Sequence, residues 1–280
     1  MDKIGLYYFR HMPNFGDLLS INIIEKVFGK KVVYSPPDSC DLISIGSILE
    51  KFICYKRSRD LKYLFAKYFS PELKVWGSGF IEADENDNDC FTRKMHFFAL
   101  RGKLSLERVR KFYKNGKKLN ETVPGDPGIL SSFLIDGGHK KKYSLGIIPH
   151  YEDRKSPLIE DINSRIKNST VIDVLKDPAD TVRKISECEL IVSSAMHGLI
   201  AADSMNIPNM RIKLSDNIIG GDYKFNDYYS VYDIDAPEPI DLRKRRFTEA
   251  DLLRIESSYK IKQDDVARIK DRLFEAFPFK

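Results

Sequence analysis

The feature that most constrains the fold is the regular alternation of apolar strands and amphipathic helices in the second half of the chain. Four short runs rich in Ile, Leu and Val alternate there with three helical patterns, and the connections are short. Strands and helices at this spacing are typical of βαβ units, which form a parallel sheet covered by helices. The predicted strands are 143–148, 170–174, 190–192 and 209–214, and the predicted helices are 157–167, 178–188 and 195–205.

The first half of the chain shows the same alternation less regularly, and a basic, glycine-containing segment at 136–142 predicts a linker between the halves. A capping-box pattern at Thr248–Asp251 opens a charged, amphipathic C-terminal region. We therefore expect an α/β fold with two Rossmann-like domains facing a central cleft, at 1–136 and 143–246, and a helical segment at 247–280 that packs back on the first domain. Within the first domain, strands are predicted at 4–9, 41–45, 74–76 and 95–100, and helices at 18–28, 60–69 and 105–113.

The composition narrows the class of protein. Hydrophobic residues make up 42% and charged residues 31% of the 280 residues, as in ordinary soluble enzymes. No apolar run reaches the length of a membrane span, and the N-terminus lacks the apolar core of a signal peptide, so we predict a cytoplasmic protein. The net charge of +5 is spread over 46 basic and 41 acidic residues, which is too diffuse to favour nucleic acid. The four cysteines are scattered without metal-site spacing, and we predict no metal and no cofactor.

A candidate catalytic residue, His197, lies in the first turn of the predicted helix 195–205, just after the strand 190–192. Free backbone N–H groups and the positive end of the helix dipole make such a position attractive to anions. A histidine there can hydrogen-bond an anion or transfer a proton. A capping or packing role is the commoner one for an isolated histidine, so the interpretation depends on residues elsewhere in the chain.

Polar residues also follow other predicted strands. Ligands of open α/β sheets bind outside the carboxyl ends of the strands, so these side chains are expected to face the cleft. Arg101 carries a fork of donors suited to carboxylate or phosphate, whereas Asp126 either caps the following helix or belongs to the site. The residues that follow strands are Asn14, Gly16, Asp17, Ser47, Ser78, Arg101, His150 and His197.

Seven short segments, in this order, resemble those of the polysaccharide pyruvyl transferase family, and together they extend over nearly the whole chain. Each segment is unspecific alone, and the resemblance lies in their order. They are Asn14-Phe15-Gly16-Asp17, Gly77-Ser78-Gly79, Leu100-Arg101-Gly102, Pro124-Gly125-Asp126-Pro127, Ile148-Pro149-His150-Tyr151, Ser194-Ala195-Met196-His197-Gly198 and Lys224-Phe225.

The resemblance implies a two-domain fold similar to GT-B glycosyltransferases. It also implies transfer of pyruvate from phosphoenolpyruvate to two hydroxyls of a sugar, with formation of a cyclic ketal and release of phosphate. By resemblance, Arg101 and His197 match the essential donor-site arginine and histidine of the family, and Lys224 matches a basic donor-site residue. The expected donor-binding residues are Lys224, His150, Ser194 and Gly198, and the expected acceptor or cleft residues are Asn14, Gly16, Asp17, Ser47, Ser78 and Asp126.

One departure from the family pattern concerns the arginine that often stands shortly before the histidine. Ala195 and Met196 occupy those positions here, so another cation is expected to contact the donor, with Lys213, Arg211 and Lys224 as candidates.

The chemistry of phosphoenolpyruvate assigns roles to the remaining groups. Its methylene carbon must gain a proton before a hydroxyl attacks C2, and His197 is expected to donate that proton or to bind the phosphate. Three residues stay open as the base for the hydroxyl: Asp17, Asp126 and His150.

The resemblance also implies the partners. The expected acceptor is a sugar of a bacterial polysaccharide precursor, with a lipid-diphosphate-linked oligosaccharide as a candidate. Peripheral association with the inner face of the plasma membrane would suit such an acceptor, and the basic runs at 140–142 and 243–246 give it weak support. Two alternatives remain: a GT-B glycosyltransferase that uses a nucleotide sugar, and a non-catalytic carbohydrate- or nucleotide-binding module.

Overall fold

The computed structural model describes residues 3–10, 14–54, 70–83, 90–113, 119–137 and 140–280. The helix expected at 60–69 and the centre of the linker expected at 136–142 lie outside these ranges. In the ranges described, none of the helices combines the length and apolarity needed to cross a bilayer.

The first half of the chain forms a parallel six-stranded sheet in the order β2-β1-β3-β5-β7-β8. A short antiparallel pair, β4 with β6, lies beside it. The strands are β1 (Lys3–Tyr7), β2 (Lys31–Tyr34), β3 (Leu42–Ile43), β4 (Ile53–Cys54), β5 (Leu73–Ser78), β6 (Cys90–Phe91), β7 (Met95–Leu100) and β8 (Val123–Pro124). The helices are α1 (Phe15–Phe28) and α2 (Lys103–Phe112), with 3₁₀ segments at Leu49–Phe52 and Pro127–Leu134.

The second half forms a parallel five-stranded sheet in the order β10-β9-β11-β12-β13. The strands are β9 (Tyr143–Ile148), β10 (Ser169–Val171), β11 (Cys188–Ser193), β12 (Asn209–Lys213) and β13 (Ile240–Asp241). The helices are α3 (Pro157–Arg165), α4 (Pro178–Ser186), α5 (Met196–Asp203), α6 (Tyr223–Tyr229), α7 (Glu249–Ser258) and α8 (Gln263–Glu275), with a 3₁₀ turn at Ser230–Tyr232.

Both sheets reverse their strand order next to the first strand of each half. In the first sheet, β1 lies between β2 and β3, and in the second, β9 lies between β10 and β11. The loops that follow the strands on the two sides of such a switch point diverge, which leaves a crevice at the carboxyl edge of the sheet. The topology therefore provides one crevice per half, and the loops after β1, β3, β9 and β11 line it.

The predictions for the main elements are largely confirmed, with the strands 95–100 and 143–148 matching to the residue. Three helices end earlier than predicted, at Arg165, Ser186 and Asp203. The edge strand β2 was not predicted. Only alternate residues of its short Lys-Val-Val-Tyr sequence are half-buried, so it carries little apolar signal.

A continuous apolar core joins elements of both halves. Side chains of α1, such as Leu19 and Ile23, belong to the same buried cluster as Ile185 of α4 and Ile200 of α5. Two further clusters fill the outer parts of the two sheets. The contact layer between the halves is therefore built from α1 and the 3₁₀ segment at 127–134 on one side and α4 and α5 on the other.

The two C-terminal helices pack on different halves: α7 contacts β11 and β12 of the second sheet, contrary to the prediction for 247–280, whereas α8 packs against the first half as predicted. The capping box predicted at Thr248 is confirmed, with Asp251 as its carboxylate partner. Further along, the indole N–H of Trp76 donates to the carbonyl of Leu273 at 3.1 Å, and the ring of Phe277 stacks on Phe28 with 3.9 Å between ring centroids. These contacts hold α8 against the first sheet.

A buried carboxylate at the C-terminal end of α5 leads to a prediction about pH. Asp203 accepts hydrogen bonds from Tyr228 at 2.8 Å and from Asn209 at 2.6 Å, and burial raises its pKa from 3.8 to about 7. Because the pKa of Asp203 is higher in the folded than in the unfolded protein, its protonated carboxyl group contributes fully to stability below the unfolded-state pKa. This contribution is lost as the pH rises through the folded-state pKa. Relative to wild type, Asp203→Asn should therefore become more stable as the pH rises from 4 to 7, by up to about 1.4 kcal/mol per pH unit. Urea unfolding of both proteins across this range measures the difference, and parallel pH profiles would contradict it.

Candidate active site

A cleft of about 300 Å³ opens where the loops after β1, β3, β9 and β11 meet. Both halves of the chain contribute to it, as the strand order predicts. Its polar lining contains six of the residues predicted from the sequence: Asn14, Asp17, Ser47, His150, His197 and Lys224. Apolar side chains, including Phe9, Ile48, Ile81 and Ile219, line the rest of its wall.

His197 is the second residue of α5, so its side chain lies beside the free N–H groups of the first helical turn. The imidazole is 12% exposed, and its Nε2 atom is buried. The backbone of Gly16 approaches the ring so closely that a Cβ atom at this position would lie 2.2 Å from Nδ1. A larger residue at position 16 would displace the ring, and this explains the glycine in the segment Asn14–Asp17.

Asp126 lies on the far side of the same ring. It is the N-cap of the 3₁₀ segment Pro127–Leu134, because its Oδ1 accepts the N–H of Gly128 at 2.8 Å. Of the two roles that the sequence left open for Asp126, the capping role is thereby confirmed. The other oxygen, Oδ2, is 3.6 Å from Nε2 of His197, and the carboxylate is fully buried. Asp126 therefore contacts the site from beneath and does not line the cleft surface.

Asp17 occupies the first turn of α1, next to its N-cap Asn14, whose side chain accepts the N–H of Gly16 at 3.3 Å. The Asp17 carboxylate accepts the N–H of Phe9 at 3.2 Å. Burial raises the pKa of Asp17 to about 6, although the Phe9 hydrogen bond and the charge of nearby His197 lower it. A carboxyl group with this pKa can exchange protons near neutral pH.

The loop after β9 brings His150 into the cleft. Its backbone N–H donates to Oγ of the buried Ser194 at 2.8 Å, which ties this loop to the loop after β11. Burial and the positive charge of Lys224 lower the pKa of His150 to about 4, so its imidazole is neutral near pH 7. Gly198 packs against the end of β9, where a Cβ atom would lie 2.5 Å from Oγ of Ser193 and 2.9 Å from Ile148. Ser194 and Gly198 thus position the loops.

Lys224 is the cation that the cleft presents to a ligand. Its ammonium group donates to the carbonyl of Ile219 at 3.1 Å, and in the part of the chain that the structure describes it has no carboxylate partner. Desolvation, followed by the charges of Arg101 and Arg211, lowers its pKa to about 8. Arg211 and Lys213, the other candidates for the missing arginine, both pair with Asp222 and do not line the cleft.

Arg101 lies beneath the cleft. Its side chain is fully buried, its Nε donates to Oδ2 of Asp227 at 2.8 Å, and Nη1 donates to Oγ of Ser47 at 2.7 Å. Nη2 donates to the carbonyl of Phe80. The resemblance predicts that Arg101 contacts the donor, but in the structure its side chain is buried beneath the cleft surface. There it connects Ser47, which lines the cleft, to α6. Ser78 is likewise fully buried, and its hydroxyl donates to the carbonyl of Gly46 at 2.9 Å.

Several residues at the site were not predicted from the sequence. Tyr151 and Glu152 line the cleft immediately after His150, and their position after β9 could have identified them. Ile218 and Ile219 line it from the segment before α6. Asp227, which holds Arg101, carries no signal of its own, because its partner lies 126 residues away in the sequence.

The arrangement can bind an anion and move protons. Lys224 and the N-terminus of α5 supply positive charge, and the pKa of Asp17 is about 6. His197 lies 3.6 Å from Asp126 and close enough to Asp17 to lower its pKa. Over the ranges described, no group of three or more His, Cys, Asp and Glu side chains is placed to hold a metal ion.

Comparison with known proteins shows two curated relatives. The chain is 33% identical over 144 residues to an uncharacterized protein of Acanthamoeba polyphaga mimivirus. The aligned region covers 50% of this chain and 49% of that protein. It is 26% identical over 224 residues to the succinoglycan biosynthesis protein ExoV of Rhizobium meliloti. That aligned region covers 79% of this chain and 62% of that protein. The matches thus span about half to three fifths of the length of these relatives.

The family comparison covers most of the chain. The model of the family described as polysaccharide pyruvyl transferase matches residues 3–216, which include both sheets up to β12, the loops after β1, β3, β9 and β11, and His197. Six of the seven segments lie within the matched residues, whereas Lys224-Phe225 lies beyond them, and the match shows that the chain belongs to the polysaccharide pyruvyl transferase family.

Proposed function

We propose that the protein transfers pyruvate from phosphoenolpyruvate to two hydroxyls of a sugar, forms a cyclic ketal and releases phosphate. The observation that carries the proposal is the placement of Lys224 and His197 in one cleft at the two switch points. Phosphoenolpyruvate bears a carboxylate and a phosphate on one small frame, so its site needs fixed cations and backbone N–H donors. Lys224 and the first turn of α5 supply both kinds of group.

The proposed roles follow from the positions of the titratable groups. His197 protonates the methylene carbon of the donor, which makes C2 electrophilic toward a sugar hydroxyl. Asp17 accepts the proton of that hydroxyl, because its pKa of about 6 suits a base near neutral pH better than the pKa of about 4 of His150. Departure of phosphate then allows the neighbouring hydroxyl to close the ketal.

The acceptor and the arrangement of domains belong to the same proposal. One relative is named for succinoglycan biosynthesis, which supports a sugar of a bacterial polysaccharide precursor as acceptor. The two sheets, with ligand-binding loops from both, support a GT-B arrangement in which 1–136 binds the acceptor and 143–246 binds the donor. We further propose that the acceptor is linked to a lipid diphosphate and that the protein meets it at the membrane surface.

A thermal shift titration tests the donor. Phosphoenolpyruvate at about 100 times its Kd should stabilise the protein by about 2.7 kcal/mol at pH 7. Because the pKa of Lys224 is about 8, the ammonium group loses its charge above that value, and the stabilisation should decline between pH 7 and 9. Lys224→Gln should remove most of it at every pH.

Lys270→Gln is the matched control for this titration. Lys270 is also a desolvated lysine with a pKa of about 8, but it bonds to Ser132 and Ser204 outside the cleft, so its loss should leave the effect of phosphoenolpyruvate unchanged. Stabilisation by UDP or GDP sugars, with no response to phosphoenolpyruvate, would favour the glycosyltransferase alternative and refute the proposal.

A further inference from the structure

Two buried polar atoms face each other beneath the cleft without a hydrogen-bond partner among the described residues. They are Oδ2 of Asp126 and Nε2 of His197, 3.6 Å apart. Unpaired buried donors and acceptors are destabilising and rare in native proteins, so such a pair calls for an explanation. The separation is longer than a hydrogen bond, and catalytic hydrogen bonds are often long before the ligand binds.

The carboxylate of Asp126 is held in one orientation. Its Oδ1 caps the 3₁₀ segment through the N–H of Gly128, and Pro127 follows it directly. With Oδ1 held in this way, Oδ2 faces the imidazole. The cap and the contact with His197 are therefore separate roles of two oxygens on one side chain.

The imidazole is held from the opposite side. The close approach of Gly16 to Nδ1 limits movement of the ring away from Asp126. Because Nε2 is buried, the exposed part of the side chain lies on its other atoms, and His197 lines the cleft. Of the two ring nitrogens, Nε2 is buried and faces Asp126, which leaves Nδ1 as the nitrogen available to a ligand.

We propose that Asp126 is a positioning residue that keeps a proton on Nε2 of His197, so that Nδ1 exchanges the catalytic proton with the donor. This inference rests on the proposed function. In the step, the Nδ1–H bond of the imidazolium breaks and its electron pair stays on nitrogen. The π electrons of the methylene group form the new C–H bond, and the positive charge passes to C2 and its ester oxygen. The neutral imidazole that remains is protonated at Nε2 and hydrogen-bonded to Asp126.

Asp126→Asn tests this assignment because it separates the two roles. The asparagine oxygen must still face the N–H of Gly128, since the NH₂ group cannot accept a hydrogen bond, so the cap is kept. The NH₂ group then faces Nε2 and favours the tautomer protonated at Nδ1. We expect kcat to fall about 10- to 100-fold, a part of what a general acid contributes, with little change in KM for phosphoenolpyruvate.

The tautomer itself can be measured on the full chain by ¹⁵N NMR of the histidine ring nitrogens. Wild-type His197, when neutral, should be protonated at Nε2, and Asp126→Asn should shift it toward Nδ1. This readout does not need turnover, so it remains decisive if no acceptor yields a ketal and the proposed function fails. A wild-type ring protonated at Nδ1, or an unchanged tautomer and kcat in Asp126→Asn, would overturn the assignment.

Asp177→Asn is the matched control. Asp177 is also an N-cap followed by proline, and it accepts the N–H of Ala179 at 2.9 Å, but it lies at the start of α4 outside the cleft. It should change neither kcat nor the tautomer of His197. Should Asp126→Asn fold poorly, Asp126→Ser keeps a capping hydroxyl and removes the second oxygen, and the same fall in kcat is expected.

Discussion

Replacing Asp227 by alanine is expected to destabilise the fold by about 3–5 kcal/mol, the range measured when one partner of a buried ion pair is removed. Asp227 and Arg101 are both fully buried, and their 2.8 Å hydrogen bond links α6 to the end of β7. Asp227 also accepts the backbone N–H and the hydroxyl of Ser105, at 2.8 and 2.6 Å. The alanine variant would leave the guanidinium charge without its counter-ion in a site that excludes water.

Urea unfolding of wild type and Asp227→Ala measures this effect. Asp180→Ala is the matched control, because it removes the carboxylate of an ion pair with Arg183 whose side chains are 63% and 49% exposed. Exposed pairs contribute about 0–1 kcal/mol, so the control should unfold almost as wild type does. A similar small loss in Asp227→Ala would show that the Arg101 pair does not hold the two parts together.

His197→Gln is expected to lower kcat for ketal formation about 10²- to 10⁴-fold, the usual contribution of a positioned acid or base. Glutamine keeps a polar group near the first turn of α5 but cannot donate a proton to carbon at neutral pH. Because the imidazole is partly exposed and lies in the cleft, the variant should fold with nearly wild-type stability. Phosphate release from phosphoenolpyruvate in the presence of acceptor measures the rate.

A second histidine provides the control for this experiment. His96 stacks on Phe98 with 4.1 Å between ring centroids, in the first sheet and outside the cleft lining. His96→Gln should keep kcat within about twofold of wild type, since it does not reach the reacting groups. If His197→Gln kept kcat within the same limit, His197 would not be the proton donor.

The Asp227→Ala and His197→Gln experiments distinguish the roles of Arg101 and His197, two residues that the sequence alone assigned to the same site. The resemblance predicts both Arg101 and His197 at the donor site, yet of these two only His197 lines the cleft. Arg101 contacts Ser47 and Asp227, so changes at Arg101 should affect stability and geometry together. Changes at His197 should affect the chemical step.

The sequence determined the class of fold and the edge at which the site lies. Apolar periodicity located the strands β9 to β12 and the helices α3 to α5 to within a few residues, because burial against a sheet requires that spacing. Since strands alternate with helices, the sheets are parallel and the polar residues after their carboxyl ends meet at one edge. For this reason His150, Asp17 and His197, each just after a strand, were predicted and do line one cleft.

Only the tertiary structure decided which of these residues face the cleft and which lie beneath it. Arg101 is buried because Asp227, distant in sequence, neutralises it, and Asp126 faces His197 because the 3₁₀ segment of the first half packs on α5 of the second. Local periodicity reports whether a residue is buried but not which distant group it meets. Pairing across the two halves is set by how the helices pack, and no local pattern in the sequence encodes it.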